Sequence, residues 1–165
     1  MVKCLKDYKE QGTVKDITPE EKEYYEKFLE ENYKDNMVAS EYLAIKHPRW
    51  SVISGYYAMH DVSKLYLAKQ FNLKFSFPEI HAAVIQALRE LVDNKKVLEL
   101  ISKAEEEYEE IINLHLTLRR GKDEREKTQY YKSIETNSKV PMQKSSYFIE
   151  KLVKPYIKLV EDLMK

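Results

Sequence analysis

Glycine and cysteine are scarce in this chain of 165 residues, and each scarcity excludes a class of site. The three glycines, Gly12, Gly55 and Gly121, lie far apart, so the sequence has no glycine-rich loop that could cradle a phosphate group. Cys4 is the single cysteine, which excludes an internal disulfide framework and a cysteine-based zinc site. We therefore expect a reducing, cytoplasmic location.

Long apolar runs and metal-binding motifs are also missing. The most apolar stretch, 51–71, is interrupted by charged side chains, so we expect no membrane span. The N-terminal residues lack the apolar segment of a signal peptide. None of the four histidines has a glutamate three positions before it, and no His-Glu-x-x-His motif occurs. We therefore expect no metal and no other cofactor.

The sequence that is present favours helix. Thr18 and Glu21 form a capping box that predicts a helix from there to about residue 46. A second helix is predicted from about Arg49 to Phe71, and its first half is apolar on nearly all sides, as expected of the central helix of a bundle. Gly55 lies within it and predicts a close approach of another backbone.

Further helices are predicted over 78–92, from about 95 to 120, and over 141–164 with a kink at Pro155. A loop is predicted over 72–77, and no segment alternates convincingly enough to predict a strand. The chain is therefore predicted to be one all-α domain, an antiparallel bundle of four to five helices. In this prediction the core covers about 18–164 and residues 1–17 are an N-terminal extension.

Four side chains of the second predicted helix fall at a spacing that places them on one side. They are Tyr57, His60, Asp61 and Lys64. A histidine and a carboxylate on one face can perform acid–base chemistry. The alternative is a polar edge where the helix meets solvent or a partner chain. His81, near the start of the next helix, is either a packed, hydrogen-bonded histidine or a catalytic one.

Positive charge is concentrated toward the end of the chain. Residues 111–165 contain 12 Lys and Arg against 7 Asp and Glu, whereas residues 1–110 contain 16 against 21. Within the basic part, Arg119, Arg120, Arg125 and Tyr130 belong to a segment that interleaves cations with aromatic side chains. Such a segment can bind phosphates while stacking on bases. The alternative is an ordinary solvated, charged turn.

The order of three motifs resembles the HEPN domain family, named for nucleotide binding in higher eukaryotes and prokaryotes. The motifs are Tyr56-Tyr57-Ala58-Met59 in the second helix, His81 at the start of the third, and Arg125 followed by Tyr130 after the fourth. The resemblance covers roughly residues 20–164. It implies an all-α, often dimeric bundle. Many such proteins are metal-independent ribonucleases, or toxin partners of small nucleotidyltransferases in toxin–antitoxin pairs.

The chain departs from the family in its catalytic motif, which is an arginine followed four to six residues later by a histidine. No histidine lies beyond His115, so the motif is absent and no catalytic residue is assigned. We therefore expect a non-catalytic, homodimeric module that binds RNA, a nucleotide or a partner protein such as a nucleotidyltransferase. Its ligand groove is expected near Arg125, Tyr130 and His81. The alternatives are a divergent ribonuclease that uses His60 or His81 with Arg125, and a plain helical dimerisation scaffold.

Overall fold

A computed structural model describes residues 3–124 and 142–165, and it describes residues 111–124 by their backbone alone. The elements, in chain order, are α1 (Leu5–Glu10), β1 (Val14–Asp16), α2 (Pro19–Leu43), α3 (Pro48–Phe71), β2 (Leu73–Phe75), α4 (Ile80–Leu91), α5 (Lys95–Glu124), α6 (Met142–Phe148), a π-helical segment (Ile149–Val153) and α7 (Lys154–Leu163). The predicted all-α helical bundle is confirmed. Within these residues, no helix is both long and apolar enough to cross a membrane.

The central helix is α3, and its bounds agree with the predicted ones to within one residue. Pro48 occupies its first position, where the missing N–H of proline has no helical partner to lose. Asn72, in the left-handed conformation (φ 57°), ends it. Most of its side chains are buried, but Trp50 is 54% exposed, so the expectation that the first turn is also enclosed is wrong.

Helix α3 packs lengthwise against α2 and against the last helical stretch, residues 142–163. All three approach one another closely near Ser51 and Gly55 of α3. Ser40 Oγ donates a hydrogen bond to the Ser51 carbonyl at 2.7 Å, and Ser51 Oγ donates one to the Ser40 carbonyl at 2.7 Å. Both serines are buried. A Cβ atom on Gly55, one turn further, would lie 2.9 Å from both Ser40 Oγ and Val153 Cγ2. The atoms nearest to Gly55 are thus side-chain atoms of the neighbouring helices, and the predicted close approach of another backbone stays a prediction.

A two-stranded antiparallel sheet corrects the expectation of no strand and of a loop over 72–77. β1 pairs with β2 in a register that places Val14 opposite Phe75. The ladder continues at one end through a hydrogen bond from the Ile17 N–H to the Asn72 carbonyl at 2.9 Å. Three residues per strand are too few to show a period of two.

The N-terminal segment that precedes α2 contributes to the same core. Leu5, Tyr8, Val14 and Ile17 are all buried. The Leu5 N–H donates a hydrogen bond to Glu90 Oε1 on α4 at 2.8 Å. Residues 3–17 are therefore packed onto the bundle along their length.

Helices α4 and α5 each have one end that differs from the predicted one, and the last helical stretch contains a π-helical segment. α4 begins at Ile80, after Glu79 in the left-handed conformation (φ 59°), rather than at Pro78. α5 continues through Gly121 to Glu124, because a single glycine costs a helix only about 1 kcal/mol. In the last stretch the π-helical segment Ile149–Val153 lies directly before Pro155, where the kink was predicted.

Substituting Gly55 by alanine tests whether the close approach controls stability. Alanine adds about 1 kcal/mol of helix propensity, but the new methyl group meets Val153 and a Ser40 hydroxyl held by its hydrogen bond. We expect Gly55→Ala to lower the free energy of unfolding by about 1–2 kcal/mol in urea denaturation. The control is Ser54→Ala in the same turn, with an expected change within about 0.5 kcal/mol. Equal stability of the two variants would contradict the packing described.

Candidate functional site

Five aromatic side chains from α3, α4 and α5 converge on one side of the bundle. This ring cluster consists of Tyr56, Tyr57, His60, His81 and Tyr108. The His60 and His81 rings stack with centroids 4.3 Å apart and planes 25° apart. The Tyr56 and Tyr108 rings stack at 4.0 Å and 13°. The other ring pairs of the cluster meet edge to face with centroids 4.5–6.4 Å apart, an arrangement in which aromatic rings attract beyond simple burial.

The ring cluster has a closed inner part and an outer part that reaches solvent. Tyr56 and His60 are each 1% exposed, so neither side chain touches water. Tyr57 is 38% exposed, and His81 and Tyr108 are half-buried. Tyr57 lies 5.4 Å from His81 and 6.3 Å from Tyr108, ring centroid to centroid. A ligand that reaches the cluster therefore meets aromatic rings first.

His60 is the most unusual member of the cluster, because neither of its ring nitrogens has a hydrogen-bond partner among the side chains and backbone that the structure describes. A neutral imidazole carries one donor and one acceptor, and leaving such groups buried and unpaired costs about 1–3 kcal/mol each. Buried polar groups without partners are rare in folded proteins and call for an explanation such as a bound water or ligand. His60 is therefore a buried polar group that the packing of the described residues does not account for.

Both histidines are held in the neutral form. Burial is the main cause that lowers the pKa of His60 well below 6.5, and the nearby His81 and Lys64 lower it further. Burial and Lys64 also lower the pKa of His81, against the opposing effect of Asp61. Burial, followed by a hydrogen bond with Tyr57, raises the pKa of Tyr108 to about 12. These shifts favour the uncharged forms of His60, His81 and Tyr108 at neutral pH, which suits a stacked planar ligand.

The predicted common face of α3 is only partly confirmed. Asp61 is buried, and its carboxylate accepts hydrogen bonds from the Asn36 amide on α2 at 3.0 Å and pairs with Lys64 Nζ at 2.6 Å. Because His60 and Asp61 are both buried, the alternative of a polar edge open to solvent is wrong for these two residues. Asp61 is therefore a structural link between α2 and α3.

Charged groups around the ring cluster have mixed signs. Arg49 is half-buried, lies close enough to Tyr108 to oppose the rise of its pKa, and has an Nε atom that is buried without an acceptor. Its guanidinium also lies 5.5 Å from the Trp50 ring. Glu105 and Glu109 contribute negative charge, which together with burial raises the pKa of Tyr56. Arg49 is therefore the cation positioned to contact an anionic part of a ligand.

Of the predicted ligand-binding residues, the structure brings Tyr57, His60 and His81 together. Arg119 and Arg120 lie in α5, but their side chains lie outside the description, and Arg125 and Tyr130 lie outside the described residues altogether. The expected convergence of Arg125, Tyr130 and His81 thus stays a prediction.

Tyr108 and Arg49 were missed by sequence reasoning. Tyr108 belongs to the apolar stripe of α5, which gives no hint that its ring stacks on Tyr56 of α3. Arg49 stands at the start of α3 and carries no local signal of its position near Tyr108. In both cases the contact partner is distant in sequence, so only the packing of helices reveals it.

Metal binding has no visible basis in the part of the chain that the structure describes, where no three His, Cys, Asp or Glu side chains lie close enough together to hold an ion. Comparison of the chain with protein-family models, with curated proteins and with solved structures finds no match in any of the three. The resemblance to the HEPN family therefore stays a prediction.

The buried His60 predicts a specific dependence of stability on pH. Because its pKa in the folded state lies below the usual 6.5, the unfolded chain takes up a proton that the folded chain does not as pH falls below 6.5. We expect the free energy of unfolding to be constant above that pH and to fall below it by up to about 1.4 kcal/mol per pH unit for this histidine. Urea denaturation at a series of pH values measures the slope.

Two histidine substitutions complete this experiment. His60→Leu should remove the part of the loss of stability below pH 6.5 that comes from His60, while His81, whose pKa burial also lowers, keeps its own part. His47→Leu is the control, since His47 is exposed at the start of α3 and its removal should leave the slope as it is. Identical pH profiles for His60→Leu and the parent chain would show that His60 is not held neutral.

Proposed function

We propose that this protein is a non-catalytic helical module that binds a nucleobase, in RNA or in a free nucleotide, at the open side of the ring cluster. The observation that carries the proposal is the pair of solvent-reaching rings of Tyr57 and His81, 5.4 Å apart, backed by the buried imidazole of His60. A planar base can stack on the outer rings through its face. Its edges also carry hydrogen-bonding groups, which the ring faces of the cluster do not offer.

Stacking supplies most of the binding energy in this proposal. Recognition of single-stranded nucleic acid commonly relies on bases stacked on aromatic side chains, at about 1–3 kcal/mol per base. Tyr57 and His81 present aromatic rings from two different helices, with ring planes 72° apart. A base can stack on one of these rings while its edge meets the other.

In this proposal, contacts to phosphate contribute less binding energy than base stacking does. Arg49 offers one guanidinium to a phosphate group, with an Nε that lacks an acceptor in the protein. The acids Glu105 and Glu109 on α5 oppose a second anionic contact close by. With about one phosphate contact, the salt dependence of binding should be shallow, because each contact adds about 0.7 to the slope for a single strand.

The other parts of the sequence-based interpretation stay predictions. They are the homodimer, a nucleotidyltransferase partner, a place in a toxin–antitoxin pair and a cytoplasmic location. The prediction of a plain dimerisation scaffold competes directly with the proposal, since a scaffold has no use for the unpartnered His60. A scaffold would show no RNA binding even at about 50 mM salt.

Replacing Tyr57 by alanine tests the proposed stacking. We expect Tyr57→Ala to weaken the binding of a fluorescein-labelled single-stranded RNA about 5- to 150-fold, the equivalent of one lost base stack. Fluorescence anisotropy at low and physiological salt measures the affinity. The same measurement with nucleoside monophosphates in competition separates a free nucleotide from an RNA strand as the ligand.

A second tyrosine provides the matched control. Tyr42 on α2 is 85% exposed and lies on the far side of that helix from α3, so Tyr42→Ala should leave RNA affinity unchanged. Equal losses in the two variants would point to nonspecific binding. No detectable binding by the parent chain at low salt would refute the proposed function and leave the scaffold.

A divergent ribonuclease is the second candidate function. The burial of its two candidate catalytic histidines distinguishes between them. His60 is 1% exposed and cannot contact a substrate, whereas His81 is half-buried, neutral and adjacent to the exposed Tyr57. A neutral histidine can accept a proton as a general base. Of the two histidines that the sequence offered, only His81 therefore remains as a catalyst, with Arg125 as its predicted partner.

Incubation of labelled RNA with the purified chain in EDTA tests this alternative. On the non-catalytic proposal, we expect no cleavage by the parent chain and retained binding. Cleavage that disappears in His81→Asn and in Arg125→Ala but persists in His60→Leu would establish the ribonuclease instead. Cleavage that persists in all three variants would indicate a contaminating nuclease, because no remaining histidine of the ring cluster then contacts the RNA.

A further inference from the structure

Helix α2 has two apolar stripes on opposite sides, and only one of them packs within the bundle. The inner stripe contains Leu29, Tyr33 and Ser40, which are buried against the rest of the fold. The outer stripe falls about half a turn away from it. Its apolar side chains are Tyr24 (78% exposed), Phe28 (47%), Val38 (65%), Tyr42 (85%) and Ile45 (74%) in the turn that follows the helix.

The spacing of the outer stripe is that of a helix–helix seam. Together with Glu31 and Asp35, its positions alternate in steps of four and three residues along the whole of α2. This alternation is the signature of a helix that packs lengthwise against another helix. The stripe runs over 21 residue steps from Tyr24 to Ile45, which is about 32 Å at 1.5 Å per step. Scattered exposed side chains do not produce such order.

The middle of the outer stripe is acidic. Glu31 and Asp35 are exposed and lie four residues apart, so the two carboxylates repel each other on the helix surface. The ion pair that α2 forms at this level joins Lys34 to Glu30 instead. Among the described residues, neither Glu31 nor Asp35 has a cation within 4.0 Å. An apolar seam with uncompensated acids at its centre calls for a partner that supplies the opposite charge.

We infer that the outer stripe of α2 is a docking surface for a helix of another protein, with apolar residues in four–three spacing and Lys or Arg at its centre. Apolar contacts at both ends would hold the partner, and its central cations would face Glu31 and Asp35. Charged positions of this kind set the choice of partner in paired helices more than they set affinity. This inference is independent of the proposed nucleobase site, which lies on the other side of α3.

A second copy of the chain fits the outer stripe less well. An antiparallel pair of α2 helices would place the Asp35 side chains opposite each other near the twofold axis, with both Glu31 side chains beside them. A parallel pair would place each acid opposite its own copy. Either arrangement brings four carboxylates together in the centre of the interface, which disfavours the wrong partner by repulsion.

Two synthetic helical peptides test the inferred surface. Both are about four heptads long with apolar residues in four–three spacing, and they differ only in carrying two Lys or two Glu at the central seam positions. We expect the Lys peptide to bind the full chain at least tenfold more tightly than the Glu peptide, measured by anisotropy of a labelled peptide. In the variant Glu31→Lys with Asp35→Lys, the preference should reverse.

Two further variants provide the controls. Glu99→Lys with Glu106→Lys on α5 changes the net charge equally at exposed positions off the stripe and should keep the parent preference. Val38→Ser with Tyr42→Ser should abolish binding of the Lys peptide, while RNA binding at the ring cluster is retained. Circular dichroism establishes that each variant is folded.

Three results would overturn the inference. They are failure of both peptides to bind, equal binding of the two peptides, and self-association of the parent chain in sedimentation that Val38→Ser with Tyr42→Ser abolishes. The last result would assign the stripe to a second copy. None of the three bears on the RNA measurement, so the two proposals fail separately.

Discussion

The close approach of α2, α3 and the last helical stretch at Gly55 is the constraint on which the rest of the structure depends. Reciprocal hydrogen bonds between Ser40 and Ser51 bring two backbones together where larger side chains would hold them apart. Val153 then fills the space that the glycine leaves. Because Tyr56 and His60 follow within two turns on the same helix, their positions in the core are set by this contact.

The ring cluster differs from this contact in how well its buried polar groups are hydrogen-bonded. The contact at Ser40 and Ser51 satisfies each hydroxyl, whereas His60 leaves both ring nitrogens without partners one short distance along the same helix. A leucine or phenylalanine would fill the place of His60 without that cost. Local violations of this kind concentrate at functional sites, where stability is given up for binding. The contrast between two neighbouring turns of α3 is what separates the site from the ordinary core.

Sequence patterns predicted the long helices well, because each has strong local signals. The Thr18–Glu21 capping box starts α2, and the apolar turns of α3 run up to the asparagine that ends it. The strands were missed because their pairing joins residues about 60 positions apart, beyond the reach of any local pattern. Spacing along one helix placed His60 beside Asp61, but only the packing of α4 and α5 shows that His60 faces rings and Asp61 faces α2.

For the same reason, the sequence of a single helix does not distinguish an apolar stripe that packs inside the bundle from one that is exposed. The apolar positions of α2, taken together, predict one broad apolar face, and the structure separates them into two stripes with different surroundings. Tyr25 and Tyr24 are neighbours in sequence, but the first is half-buried and its hydroxyl accepts a hydrogen bond from the Phe75 N–H at 3.2 Å, whereas the second is 78% exposed. Which stripe is internal depends on where α3 lies, and that is information the sequence of α2 alone does not contain.

The small sheet has a consequence for chain connectivity. Helices α2 and α3 form a hairpin whose short turn, residues 44–47, closes one end, while the ladder between β1 and β2 joins the other end. The hairpin is thus closed at both ends, covalently by the turn at 44–47 and by the hydrogen bonds of the sheet at the other end. A break in the turn at 44–47 would leave the two pieces held together by the packing of α2 against α3. The bundle is therefore built so that it can be divided at this turn into two complementary fragments and reassembled.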